Sequence, residues 1–204
     1  MADRARAAAF AILRSIEKNG AYSNLARGPL EALPELDRAF GNALVHGVLE
    51  RQFTLDYVLG RYVRRAPGGA LSILLRMGAY QILYMDRVPD SAACDETTAL
   101  AHTLHGGRQT AGFVNAVLRR LCRERAQAER AIAEAPPHVR YSLSPPLYAL
   151  LEEQYPACCE RIAAAFFAPA PLILRVNTLR TTAEALALAL QRQGIVCEPA
   201  GETA

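Results

Sequence analysis

The chain has 204 residues, 51% hydrophobic and 21% charged, enough apolar material for a packed core and too much for disorder over most of its length. Its 23 basic and 20 acidic residues nearly cancel, and its longest apolar runs, 71–85 and 163–173, are broken by Arg76 and by Pro169 and Pro171, so no membrane span is expected. Five scattered cysteines (Cys94, Cys122, Cys158, Cys159 and Cys197) without a CxxC pair argue against a disulfide framework or a zinc site, and with no leader pattern at the N-terminus they point to a cytoplasmic protein.

In chain order, Ala5, Ala8, Ala9, Ile12, Leu13 and Ile16 recur at helical spacing, and Gly20 follows where a helix would stop. On the opposite side Arg4, Ala7, Ala11, Arg14 and Lys18 make a flat stripe of three cations, with Arg6 beside it. Such a stripe is either a solvated face or a surface for phosphate. A second helix is expected to open near Asp37, with Phe40, Leu44, Val45, Val48 and Leu49 on its apolar side. Gly41 and Gly47 inside it each cost about 1 kcal/mol against alanine, which close approach of another helix would offset. Thr54 reads as the N-cap of a short helix over 55–63 that ends before Pro67 and Gly68-Gly69. Residues 71–85, apolar nearly all round apart from Arg76, Gly78 and Gln81, are expected at the centre of a bundle. Pro89 and Ser91 restart the chain into a helix through Thr103, and Gly106-Gly107 ends it. Phe113, Val114, Val117, Leu118 and Leu121 then form the apolar face of a helix running to about Arg125. Nothing in 1–130 alternates with period two, so this part reads as all-α.

Ala135-Pro136-Pro137 and Ser144-Pro145-Pro146 bracket a stretch that cannot be continuous helix, so 131–146 is expected to be a linker. Beyond it, 147–155 and 159–167 read as helices and 172–176 as a strand. A helix over 183–192, capped by Thr182 and ended by Gly194, and a strand over 195–198 follow. The second unit, 147–204, is therefore a partial α+β fold, and the chain is expected to stop before that fold is complete.

Charge is unevenly placed. Residues 1–130 hold 18 basic and 13 acidic side chains, while 131–204 hold 5 and 7. Lys18 is the sole lysine against 22 arginines, whose planar fork matches phosphate oxygens and stacks on bases. A GC-rich genome would also enrich arginine and alanine, so placement has to decide. In the helix around Phe113, Gly112, Asn115, Arg119 and Arg123 share the face opposite Leu118 and Leu121. With Arg108 before it and Arg120 and Arg125 flanking it, this face could neutralise phosphates, and Asn115 could read a base edge or bond a neighbouring helix. No catalytic or metal constellation is found: His46, His102, His105 and His138 lack triad partners, and His102 and His105 have no further ligands. Gly68-Gly69 and Gly106-Gly107 do not join a strand to a helix, as a cofactor loop would.

Several blocks together resemble one family. These are 4–13 with Ala21-Tyr22-Ser23-Asn24, then Asp37-Arg38-Ala39-Phe40, Leu44-Val45 and Gly47-Val48-Leu49, then Leu74-Leu75-Arg76-Met77-Gly78-Ala79-Tyr80-Gln81, Val88-Pro89, and Gly112-Phe113-Val114-Asn115-Ala116-Val117-Leu118-Arg119. They are similar to the NusB-like N-terminal domain of the RsmB/Sun family of bacterial rRNA cytosine-C5 methyltransferases; the last helical blocks are highly specific. Cys94-Asp95-Glu96 departs from the family's usual Val-Asn-Glu. Leu174-Arg175-Val176-Asn177 is similar to the opening of the family's RNA-binding subdomain, and adds Arg175 and Asn177 to the candidate RNA contacts. The resemblance implies an all-α NusB-like bundle followed by a partial RRM-like α+β subdomain. It also implies rRNA as partner and S-adenosylmethionine as the parent enzyme's cofactor, bound with its cysteine nucleophile in a catalytic domain not expected within these residues. The alternative is a stand-alone NusB-type antitermination factor that binds RNA and a ribosomal protein.

Overall fold

The computed structural model describes residues 3–20, 28–168, 170 and 172–200; the motif at 21–24 lies outside them. The chain divides into two compact units, Met1–Ala164 and Ala165–Ala204.

The first unit is a helical bundle. Helix α1 (Arg4–Asn19) is capped by the Asp3 side chain, which accepts from the Arg6 amide, and is closed by Gly20 at φ 61, a left-handed conformation that suits glycine. A short α2 (Gly28–Glu31) leads to α3 (Glu35–Glu50), α4 (Gln52–Leu59), α5 (Ala70–Tyr84), α6 (Asp90–Ala101) and α7 (Gly107–Arg123). Helix α5 is the axis: α1, α3, α4, α6 and α7 all pack on it. Ile73, Leu74, Leu75, Met77, Ala79 and Ile82 are each no more than 3% exposed, as its all-round apolar sequence predicts. Burying one such leucine contributes about 1.5–3 kcal/mol.

The interior glycines mark close approaches, as expected. A Cβ on Gly47 of α3 would fall on the Tyr80 ring of α5, and one on Gly78 of α5 would fall on the Leu118 side chain of α7. Each helix pair therefore meets where one partner has no side chain. The Arg76 guanidinium ties α5 to α4 by a two-pronged bond to Asp56, at 2.6 and 2.8 Å.

Two expectations are corrected here. Thr54 does not cap a helix: α4 begins at Gln52, and Thr54 is buried within it. Its hydroxyl donates to the Val139 carbonyl, and the Phe53 amide donates to Ser142 Oγ at 3.1 Å. The stretch 131–146 is therefore packed on the bundle. Helices α8 (Arg125–Ala133) and α9 (Pro137–Arg140) pack on α4 and on each other, and Ala135 and Ser142 are buried. Helices α10 (Pro145–Gln154) and α11 (Cys159–Ala165) follow. Tyr148, Cys159 and Ala163 form a small second core there, with Tyr141 donating to Glu160 at 3.0 Å. The two compact units meet at 164/165.

In the second unit α12 (Ala183–Arg192) has the expected bounds, with Thr182 Oγ1 accepting from the Ala185 amide and Gly194 at φ 80 beyond its end. The two expected strands are not formed among the described residues: 172–177 and 195–200 are irregular, without a ladder partner to satisfy their backbone. No described residue after Ala163 is buried.

Candidate nucleic-acid interface

Helix α7 is preceded by Gly106, whose φ of 90 is a left-handed turn, and buries Ala111, Val114, Val117, Leu118 and Leu121 against α5 and α6. Phe113 departs from its expected place: it is 40% exposed, on the outer side with Gly112 and Ala116. One helical turn is about 3.6 residues, and the residues three and four after Phe113 are the exposed Ala116 and the buried Val117, so the ring lies at the border of the apolar stripe. Nothing lies within 4 Å of where a Gly112 Cβ would be, so this surface is open. Arg108, Arg119, Arg120 and Arg123 are exposed on the same helix, Arg108 just inside its start.

Asn115 and Arg119 act as a pair. Arg119 Nε donates to Asn115 Oδ1 at 2.8 Å, and its Nη2 reaches Asp95 Oδ1 on α6 at 3.1 Å. Asn115 thus orients the guanidinium along its own helix, while Asp95 ties α7 to α6. With side-chain exposures of 56% and 63%, the Arg119–Asp95 ion pair is solvated and contributes roughly 0–1 kcal/mol. Arg120 pairs with Glu124 at 2.9 Å. Arg108 and Arg123 have no acidic partner within ion-pair distance among the described residues.

The stripe on α1 is presented as predicted: Arg4, Ala11, Arg14 and Lys18 are exposed, and the Arg14 guanidinium lies 5.5 Å from the Phe10 ring centroid. Arg6 differs. Its side chain is 9% exposed; Nε donates to Gln81 Oε1 at 2.7 Å, Nη1 lies 3.4 Å from Asp3 Oδ2, and the guanidinium stacks 4.7 Å from the Phe40 centroid. Gln81 itself is fully buried and donates to the Met77 carbonyl. Arg6 is therefore committed to the core.

The two stripes do not share a helix–helix contact face. Helix α6 packs on both α1 and α7 and places acids between them: Glu96 accepts from the Asp3 amide, and Asp95 meets Arg119. In the second unit Arg175 is exposed, and Asn177 uses its Oδ1 to accept from the Leu179 amide in a local turn.

Two features went unread in the sequence. One is the sulfur contact of 3.6 Å between Cys94 on α6 and Cys122 on α7, where burial pushes the Cys94 thiol up to about 12 and also raises Cys122. Nothing in the 27 intervening residues signals it. The other is the contact of Arg120 with Tyr62, 5.3 Å from guanidinium to ring centroid, which joins α7 to the loop after α4.

Residues 3–123 match the NusB family, and residues 147–204 match the RsmF/B-like methyltransferase ferredoxin-like domain. The bundle is similar to the structure of NusB from T. maritima, with a TM-score of 0.54 and 22% identity over 61% of this chain and 94% of that one, a likeness of fold. The chain belongs to the NusB family, here followed by a segment that matches the RsmF/B-like ferredoxin-like domain. It is 30% identical over 91% of its length to "Probable ribosomal RNA small subunit methyltransferase B" of Bacillus subtilis. It is 31% identical over 95% of its length to ribosomal RNA small subunit methyltransferase B of Vibrio cholerae. The chain spans 43% and 44% of the length of these two relatives.

Proposed function

We propose that this chain forms the rRNA-recognition part of a cytoplasmic, S-adenosylmethionine-dependent rRNA cytosine-C5 methyltransferase, with α7 as its main RNA surface. The observation that carries this reading is the outer face of α7, which leaves Arg108, Arg119, Arg123 and the Phe113 ring exposed within the NusB-family segment. Arginines of this kind neutralise phosphates, and an exposed ring offers a base a stacking surface. The α1 cations Arg4, Arg14 and Lys18 form a second, weaker contact. Arg175 of the ferredoxin-like segment adds a third.

The described residues do not fit a cofactor cradle. Gly68-Gly69 follow an irregular loop and Gly106-Gly107 join α6 to α7, so neither stands between a strand and a helix. Cys94 and Cys159 are buried, and the Cys94 thiol is held protonated at neutral pH. The role assigned to these residues is to bind and orient RNA. An antitermination factor with a ribosomal-protein partner, the other reading open from sequence, leaves the match over 147–204 unexplained.

The test is fluorescence anisotropy with a labelled small-subunit rRNA fragment across a series of salt concentrations. Replacing Arg108, Arg119 and Arg123 together by glutamine should lower the log–log salt slope by roughly 0.7–0.9 per lost contact. Unchanged affinity and slope in a folded triple variant would make Asn115 and Arg119 helix tethers only. In a companion assay, labelled S-adenosylmethionine and unmodified rRNA should leave the RNA unlabelled; incorporation above a boiled control would overturn the purely recognitive role.

A further inference from the structure

The loop joining α4 to α5 carries Arg61, Arg64 and Arg65, all exposed, and no acid between Gly60 and Gly69. Two residues anchor it. Tyr62 and Val63 pack on the main core, and their amides donate to the Leu59 carbonyl at 2.9 and 3.2 Å. The same Tyr62 ring receives Arg120 from α7, and Arg123 follows one turn later on that helix. Segments almost sixty residues apart thus meet at Tyr62, with three arginines on the loop and two in the last turn of α7. The nearby acid is Glu124, and it is held by Arg120. Both Arg61 and Arg120 act electrostatically on the Tyr62 hydroxyl, which agrees with their closeness.

We propose that Arg61, Arg64 and Arg65, with Arg120 and Arg123, form a second phosphate-backbone contact that extends the α7 surface onto the α4–α5 loop. This rests on the RNA-binding reading given above. The chemistry favours a phosphodiester strand. Every cation is arginine, whose fork takes phosphate oxygens two at a time, and the loop leads directly to the α7 face. A lipid surface would need apolar side chains at the contact, whereas the loop's two apolar anchors, Tyr62 and Val63, pack inward. Because the loop's arginines form no ion pair among the described residues and carry no sequence preference, they supply affinity and register, with base discrimination left to α7.

The experiment compares four versions of the 204-residue chain by anisotropy with a labelled small-subunit rRNA fragment and a labelled 20-nucleotide poly(U), from 50 to 300 mM KCl. They are the wild type, the Arg61→Gln/Arg64→Gln/Arg65→Gln variant, its all-lysine counterpart, and the α7 triple variant, each checked for helicity and unfolding midpoint. The glutamine loop variant should weaken binding to both RNAs and lower the salt slope by roughly two to three, at 0.7–0.9 per contact. The lysine variant should keep most of the slope, since charge is retained. Loss in the α7 variant with none in the loop variant overturns this inference alone. Equal loss in the glutamine and lysine variants also overturns it, because charge would then not be the cause. Absence of RNA binding by the wild type, with or without binding to a labelled poly-glutamate peptide, overturns both readings.

Discussion

Helices α1 and α12 are built by the same local rules and differ in what covers them. Each opens on a side-chain cap, Asp3 or Thr182, and each ends near a glycine with positive φ. Yet α1 buries Ala5, Ala9, Ile12 and Leu13 to 4% exposure or less, whereas α12 buries nothing and Leu188 stays half exposed. Caps set where a helix begins and stops; an apolar partner makes it stable. The contrast extends to the two units, since buried residues run from Ala5 to Ala163 and none is found among the described residues of 165–200.

The largest expected effect separates the units directly. Leu74→Ala in α5 should lower unfolding free energy by about 2–5 kcal/mol, and Leu188→Ala in α12 by less than about 0.5 kcal/mol. Urea unfolding followed by circular dichroism reads both, and similar losses would erase the comparison. Next comes Gly78→Ala, where the new methyl must displace the fully buried Leu118, so a loss of about 1–3 kcal/mol is expected. A midpoint at or above that of wild type would show that α5 and α7 can part freely.

Thr54→Val should cost about 1–3 kcal/mol, because the Val139 carbonyl loses its donor inside the packed 131–146 stretch. It should also expose that stretch to protease. In the wild type, early cleavage is expected within 165–182, and first cuts at 135–144 would contradict the packing of α9 on α4 and α8.

The smallest effect is on pH dependence. The Cys94 thiol is raised in the folded state to about 12 from an ordinary value of 9.0, so the folded protein keeps a proton that the unfolded chain releases. Its stabilising share is complete below about pH 9 and is lost as pH rises towards 12. The urea midpoint should fall over that window, less so in Cys94→Val. Identical pH profiles for the two proteins would remove the thiol from the account.

Much of this was readable in the residues. The all-round apolar run of α5 placed it at the centre, the interior glycines announced close helix contacts, and Thr182 fixed the start of α12. The misread features depend on distant partners. Thr54 has a cap-forming side chain, but its hydroxyl is taken by Val139, 85 residues away. The prolines around 135–146 break helices as expected, yet breaking a helix does not free a segment from the bundle. Arg6 is a cation near a basic stripe, and only Gln81 and Phe40 reveal its inward role. For the candidate interface, the α7 arginines were legible from spacing, whereas the acids that α6 places between α1 and α7 follow from packing.

The buried Arg6–Gln81 bond has a consequence for the outer surface. A helix advances about 100° per residue, so Arg6 can meet Gln81 at one rotational setting of α1 and at no neighbouring one. A slip of one position would strand a guanidinium and an amide in the core, each without its partner. The pattern of Arg4, Arg14 and Lys18 facing solvent is thereby indexed from within, like the teeth of a key whose angle is set by a single internal pin.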